Sequence, residues 1–184
     1  IKNSIKIQDT DDYLTTFSFP LENEAEHELL AEGLHPLDFL EQTGRGDLER
    51  RAVINHLGIA LYADILHFVY EGLRALEKRK FSVAFSLFRK PFKEGMLVAA
   101  QVCGDELAFF EKMKFDAKSI LSRQDVQKEN VIDVLNKAVL KCRGPKYISG
   151  ESIYSITFDR GNQLGLAGLF DKATHLVADY SKIR

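Results

Sequence analysis

The 184-residue sequence has little cysteine: Cys103 and Cys142 are the only two. No CxxC pair occurs, and neither cysteine has a neighbour at metal-ligand spacing, which excludes the usual cysteine-based zinc and redox motifs. Free, buried thiols in a reducing compartment are the expectation, with a single disulfide as the alternative. Long hydrophobic runs are missing as well. No uninterrupted stretch approaches the roughly 20 residues that span a bilayer, so no membrane association is expected. The first segment, IKNSIKIQDTDD, lacks the apolar core of a secretory signal, and a cytoplasmic location follows as an expectation. Charge of one sign is not in excess: 25 Lys and Arg stand against 27 Asp and Glu, for a net charge of −2 at pH 7. That argues against general nucleic-acid binding, which needs a concentrated positive field, and leaves a local basic face as the route to RNA. The sequence has no GxSxG, HExxH or P-loop, no internal repeat and no low-complexity segment.

What is present is helical periodicity over a 45% hydrophobic chain, enough to build a core. Residues 1–20 read as an extended arm ending at Pro20, with apolar side chains to dock on the body. Residues 22–34 read as an acidic amphipathic helix with Ala25, Leu29 and Leu30 inward. His35-Pro36 breaks it, since the residue before proline avoids the helical region. PLDFLEQT makes a short helix with proline in its first turn. Asp47 is the expected N-cap of a long helix running to about Lys80. Ile54, Leu57, Leu61, Ile65, Phe68 and Leu76 lie on one flank of it, and Tyr62, Leu66, Val69 and Leu73 on another. A helix apolar nearly all round is expected at the centre of a bundle.

A helix over 81–102 follows, with Phe81, Phe85, Phe88, Phe92, Met96 and Ala99 on one face. Pro91 bends it at a cost of about 3 kcal/mol, which packing of the phenylalanine stripe can offset. Asp105 caps a short helix, Ser122 and Asp125 suggest a capping box, and a helix spans 123–142 until Gly144-Pro145 stops it. Residues 151–158 are ambiguous between strand and helix, and a last helix covers 163–181. The predicted fold is all-α: an extended N-terminal arm (1–20) and a single compact helical bundle (21–184).

Three constellations could carry chemistry. Arg89, Lys93 and Glu94 lie on the polar side of the bent helix and could form a small ligand site for an anion, against the alternative of a solvated face. His56, Asp64, His67 and Glu71 fall within an arc of about 80° on the long helix, with Ala60 and Ala63 leaving room for a metal. A bundle metal site needs matching motifs from facing helices, and no second DxxH or ExxH occurs. GNQLGLAGL (161–169) is glycine-rich without GxGxxG spacing, so Gly161, Gly165 and Gly168 are expected to permit close helix packing. His175 has no assignable role.

The stretch FSVAFSLFRKPFKEGMLVAAQVCGDE resembles a helix of bacterial proteins near the HEPN superfamily (higher eukaryotes and prokaryotes nucleotide-binding), which includes RNA-cleaving toxins and phage-defence proteins. The resemblance covers about residues 64–115 and implies a bacterial helical bundle, with dimerisation as one option. HEPN ribonucleases use an Arg, then four to six residues, then a His. RAVINH, from Arg51 to His56, fits that spacing but departs from the pattern in Ala52 and in its early place in the chain. In such a site the Arg would hold the scissile phosphate and the His would act as acid or base. The leading expectation is an interaction or dimerisation domain, binding a protein partner or a second copy and needing no cofactor. A metal-independent HEPN-like ribonuclease and a metal-binding bundle are the alternatives.

Overall fold

The computed structural model describes residues 4–8, 16–121, 127–144 and 147–174. Apart from one two-stranded antiparallel pair, its regular elements are helical, in accord with the all-α reading. Contacts divide the chain into two units, 1–57 and 58–184, with the division inside a long helix. The sequence-based division was drawn instead between residues 20 and 21. The anticipated capping box at Ser122 and Asp125, the stop at Pro145, and His175 with the end of the last helix lie outside the described residues.

In the first unit, β1 (Ser4–Gln8) pairs with β2 (Thr16–Pro20), Ile5 opposite Phe19 and Ile7 opposite Phe17. The described parts of the arm are therefore extended and pair with each other. Phe19 stacks on Phe39 with ring centres 5.6 Å apart, in a buried cluster completed by Leu40. Helix α1 (Glu24–Ala31) is capped by Asn23, whose Oδ1 accepts the Glu26 N–H at 2.9 Å. Helix α2 (Pro36–Gln42) starts on its proline and ends at Gly44, where φ is +71°. The Gly44 and Arg45 N–H groups donate back to Glu41 and Leu40 carbonyls, a Schellman turn that only a left-handed residue closes easily. That turn returns Arg45 toward α1. Its Nη2 lies 2.7 Å from Glu26 Oε1 and 3.3 Å from Glu22 Oε1, and its Nη1 donates to the Pro20 carbonyl at 2.9 Å. The inward face of α1 differs from expectation accordingly: Ala25 is exposed and Glu26 is buried, because Glu26 has a cation to meet.

Helix α3 (Gly46–Glu77) runs through the division. Asp47 is inside its first turn rather than capping it, and pairs with Arg50 at 3.0 Å. In the second unit come α4 (Phe81–Arg89), a π-helical segment (Lys90–Gly95), α5 (Met96–Gly104), α6 (Glu106–Asp116), α7 (Lys128–Lys141), α8 (Gly150–Thr157) and α9 (Leu166–Thr174). The helix expected over 81–102 is thus three pieces. Pro91 lacks an N–H and its ring crowds the preceding turn, so a regular α-helix cannot continue without strain. The backbone widens instead: the Met96 N–H reaches the Pro91 carbonyl, five residues back. The phenylalanine stripe is only partly covered. Phe81 and Phe92 are exposed, while the Phe85, Phe88 and Phe92 rings contact in sequence and Phe85 meets Phe170 of α9 at 6.4 Å.

The core of this unit joins Leu97 and Ala100 of α5 to Val131 and Leu135 of α7, with Ile153 and Tyr154 of α8 packed against it. Residues 150–157 are helical despite their β-branched content. Ser149 caps the helix through the Ser152 N–H at 3.2 Å, and the Gly150 N–H donates to Asn136 Oδ1 at 2.8 Å. A Cβ at Gly150 would sit 2.7 Å from the Ile132 carbonyl oxygen, so glycine sets how closely α8 approaches α7. Close approach also holds at Gly165, 3.1 Å by the same measure from the Ile156 carbonyl, but Gly168 makes only ordinary contacts.

Candidate interaction surface

Within the second unit, α3 has two unlike sides. On one, Lys90 of the π segment reaches Asp64, Nζ to Oδ2 3.0 Å, and sits 4.4 Å from the centre of the Phe68 ring. A Cβ at Gly95 would lie 3.0 Å from Ile65 Cγ1, and a Cβ at Gly72 would overlap the Phe88 ring. Asp64, Ile65, Phe68 and Gly72 share a sector of about 100° at 3.6 residues per turn. On this side α4 and the π segment are in contact with α3.

The other side is open. Tyr62 is 65% exposed, Leu66 49%, Tyr70 54% and Leu73 52%. These four fall within about 80° of one another. The expectation that α3 is a central rod, covered all round, is therefore corrected: among the described residues of the second unit, its contacts lie on the side of Asp64, Ile65, Phe68 and Gly72. Ile59, Tyr62, Leu66, Val69, Leu73 and Leu76 recur at alternating steps of three and four, the spacing of a coiled-coil seam. No Asp, Glu, Lys or Arg occupies any of the six positions. Reading the apolar residues as two flanks of one buried helix hid this seam, although its spacing is plain in the sequence. By length and composition alone α3 could also cross a membrane, and only 6% of its most apolar 18 residues are buried. That helix bears on the expectation of no membrane association, which considered unbroken apolar runs only.

The residues singled out from the sequence are placed as follows. Arg51 and His56 are both exposed on α3, and five positions on a helix turn them about 140° apart, so the helix itself does not converge them. His56, Asp64, His67 and Glu71 are exposed, and among the described residues no three His, Cys, Asp or Glu side chains come together to hold a metal. Asp64 is engaged by Lys90 instead. Glu94 lies four positions after Lys90, but Lys90 reaches across to α3.

Arg89 and Glu94 are exposed and Lys93 is half-buried. Burial pushes the Lys93 ammonium below the ordinary lysine range; Asp171 opposes that shift, and Arg89 and Arg160 add to it. Arg160 Nε lies 3.2 Å from Asp171 Oδ2. Near the anion site anticipated on Arg89, Lys93 and Glu94, Asp171 and Arg160 thus act on Lys93, and neither was foreseen.

Both cysteines are free and exposed, not buried as expected. Burial of part of its surface nonetheless pushes the Cys103 thiol up, and the adjacent Cys142 thiol adds to the shift. A groove of about 190 Å³ between α5, α6 and α7 has an apolar floor of Ala100, Phe109 and Val134, with Lys112 and Lys137 at its rim. Lys137 is tied to Asp133 at 2.8 Å.

Comparison with known proteins adds no relative: no family model, no curated protein and no solved structure matches this chain.

Proposed function

We propose that this chain is a helical interaction module that pairs with a second copy of itself through the open side of α3. One observation carries the reading: the 3-4 spaced row from Ile59 to Leu76 has Tyr62, Leu66 and Leu73 about half exposed or more, with Tyr70 beside them. Monomeric surfaces tolerate single exposed apolar residues, but a contiguous row marks a contact. The row extends over about 26 Å, at 1.5 Å per residue. A second copy is the occupant the row fits best. It brings a seam of identical length and spacing, and the absence of charge at the six positions means that seam meets seam without repulsion.

A bilayer fits less well. Asp64 falls within the apolar stretch, and an aspartate near the middle of a membrane helix costs about 2.5–3.5 kcal/mol. The side bearing Asp64 is also already packed against protein.

Sedimentation velocity of the parent chain and of Leu66→Glu tests this reading. The parent is expected as a dimer at micromolar concentration, and the variant as a folded monomer with unchanged far-ultraviolet circular dichroism. A parent that stays monomeric at every concentration contradicts the reading, and so does flotation of the parent with phosphatidylcholine vesicles.

A further inference from the structure

The two cysteines are separated in sequence and adjacent in the fold. Cys103 lies near the end of α5, and Cys142 directly follows α7. These two helices meet in the core, where Leu97 and Ala100 of α5 join Val131 and Leu135 of α7. Cys103 directly precedes Gly104, and Cys142 is one helical turn beyond Ala138. The approach is close because Gly104 has no side chain: a Cβ there would lie 3.0 Å from Lys137 Cβ and 3.3 Å from the Ala138 nitrogen. The Cys142 thiol is close enough to Cys103 to push its pKa up, after the larger effect of burial. Both thiols are free and open to solvent.

We propose that Cys103 and Cys142 form a thiol–disulfide site that reacts with low-molecular-weight disulfides and closes a covalent staple between α5 and α7. One cysteine thiolate attacks a sulfur of glutathione disulfide; the new bond is a protein–glutathione mixed disulfide, and one glutathione thiolate leaves. The second cysteine thiolate then attacks the protein-bound sulfur and expels the second glutathione. Two electrons pass from the two protein sulfurs to the oxidant, and the two thiol protons end on the released glutathiones. The close helix approach at Gly104 is what lets the second step outrun attack by other thiols, since a disulfide needs Cα atoms within about 7 Å. The staple lies wholly in the second unit and does not depend on self-association through α3.

The test treats the full-length parent, Cys103→Ser and Cys142→Ser with glutathione disulfide, followed by intact-mass measurement and non-reducing peptide mapping. The parent is expected to lose both thiols together, retain no glutathione, and yield one peptide pair linked through Cys103 and Cys142. Each single variant is expected to keep a mixed disulfide that persists at least about tenfold longer than in the parent. Stable glutathione adducts on the parent at the level of the variants would overturn the proposal, as would cross-links only between chains. Because both side chains are exposed and serine is nearly isosteric, the variants fold, and circular dichroism checks that they do.

Discussion

Replacing Arg45 by methionine removes one cation and leaves Glu26 without its partner. The side chains of Arg45 and Glu26 are 13% and 9% exposed, so the pair is largely withdrawn from water. Glu26 would keep one neutral donor, the Glu22 N–H at 2.8 Å. Breaking a buried pair by removing one member costs about 3–5 kcal/mol, because the remaining charge is left desolvated. Loss of the hydrogen bond to the Pro20 carbonyl adds about 0.5–1.5 kcal/mol. The contact to Glu22, a residue 72% exposed at its side chain, adds at most about 1 kcal/mol. Partial exposure of Arg45 admits some water to the gap, which puts the net loss near the lower end, about 3–4 kcal/mol. Urea unfolding followed by circular dichroism gives the loss, and hydrogen exchange of α1 and α2 amides assigns it to the first unit. Removing both charges, as Arg45→Met with Glu26→Leu, should recover most of it, since an apolar pair needs no solvation. A single variant within about 0.5 kcal/mol of the parent would refute the reasoning, as would a double variant no more stable than the single.

Two further predictions concern the second unit. Gly72→Val should lower stability by about 1–3 kcal/mol, because the new side chain must displace the Phe88 ring, although valine is the better helix former; an unchanged urea midpoint would mean that α4 does not seat on α3 there. The Lys93 prediction depends on the sign of its shift. Its folded-state pKa is depressed by burial, so on raising the pH the folded chain releases this proton before the unfolded chain does. The unfolded state then binds more protons, and stability rises with pH through that window, up to the ordinary lysine range. Below the window the buried charge lowers stability throughout. Lys93→Met should therefore raise the urea midpoint near neutrality and flatten its rise at alkaline pH; identical pH profiles for parent and variant would contradict the burial of Lys93.

Local signals were legible in the sequence where one residue decides the geometry. Pro36 begins a helix, Asp105 caps one through the Ala108 N–H at 3.1 Å, and Gly44 supplies the left-handed turn after α2. Residues 151–158 were undecidable from composition, because β-branched side chains favour a strand while the cap at Ser149 and the fit of Gly150 against α7 favour a helix. Glu26 could not be recognised as buried, since its partner Arg45 comes from a turn that only the folded chain brings back. Periodicity told which residues of α3 are apolar, but it could not tell which side other helices cover. Only the placement of Gly95 on Ile65 and of Phe88 on Gly72 reveals that Tyr62, Leu66 and Leu73 face outward. The π segment shows the same limit: Pro91 announced a disturbance, but the ion pair of Lys90 with Asp64 joins it to another helix.

The pairing of α3 with its own copy is tested most directly by cross-linking single cysteines placed along that helix, in a background carrying Cys103→Ser and Cys142→Ser. With a short bismaleimide, chains bearing Leu66→Cys or Val69→Cys should join into covalent dimers, whereas Glu71→Cys, turned away from the seam, should not. Cross-linking that is absent at positions 66 and 69, or equal at all three, would contradict the account.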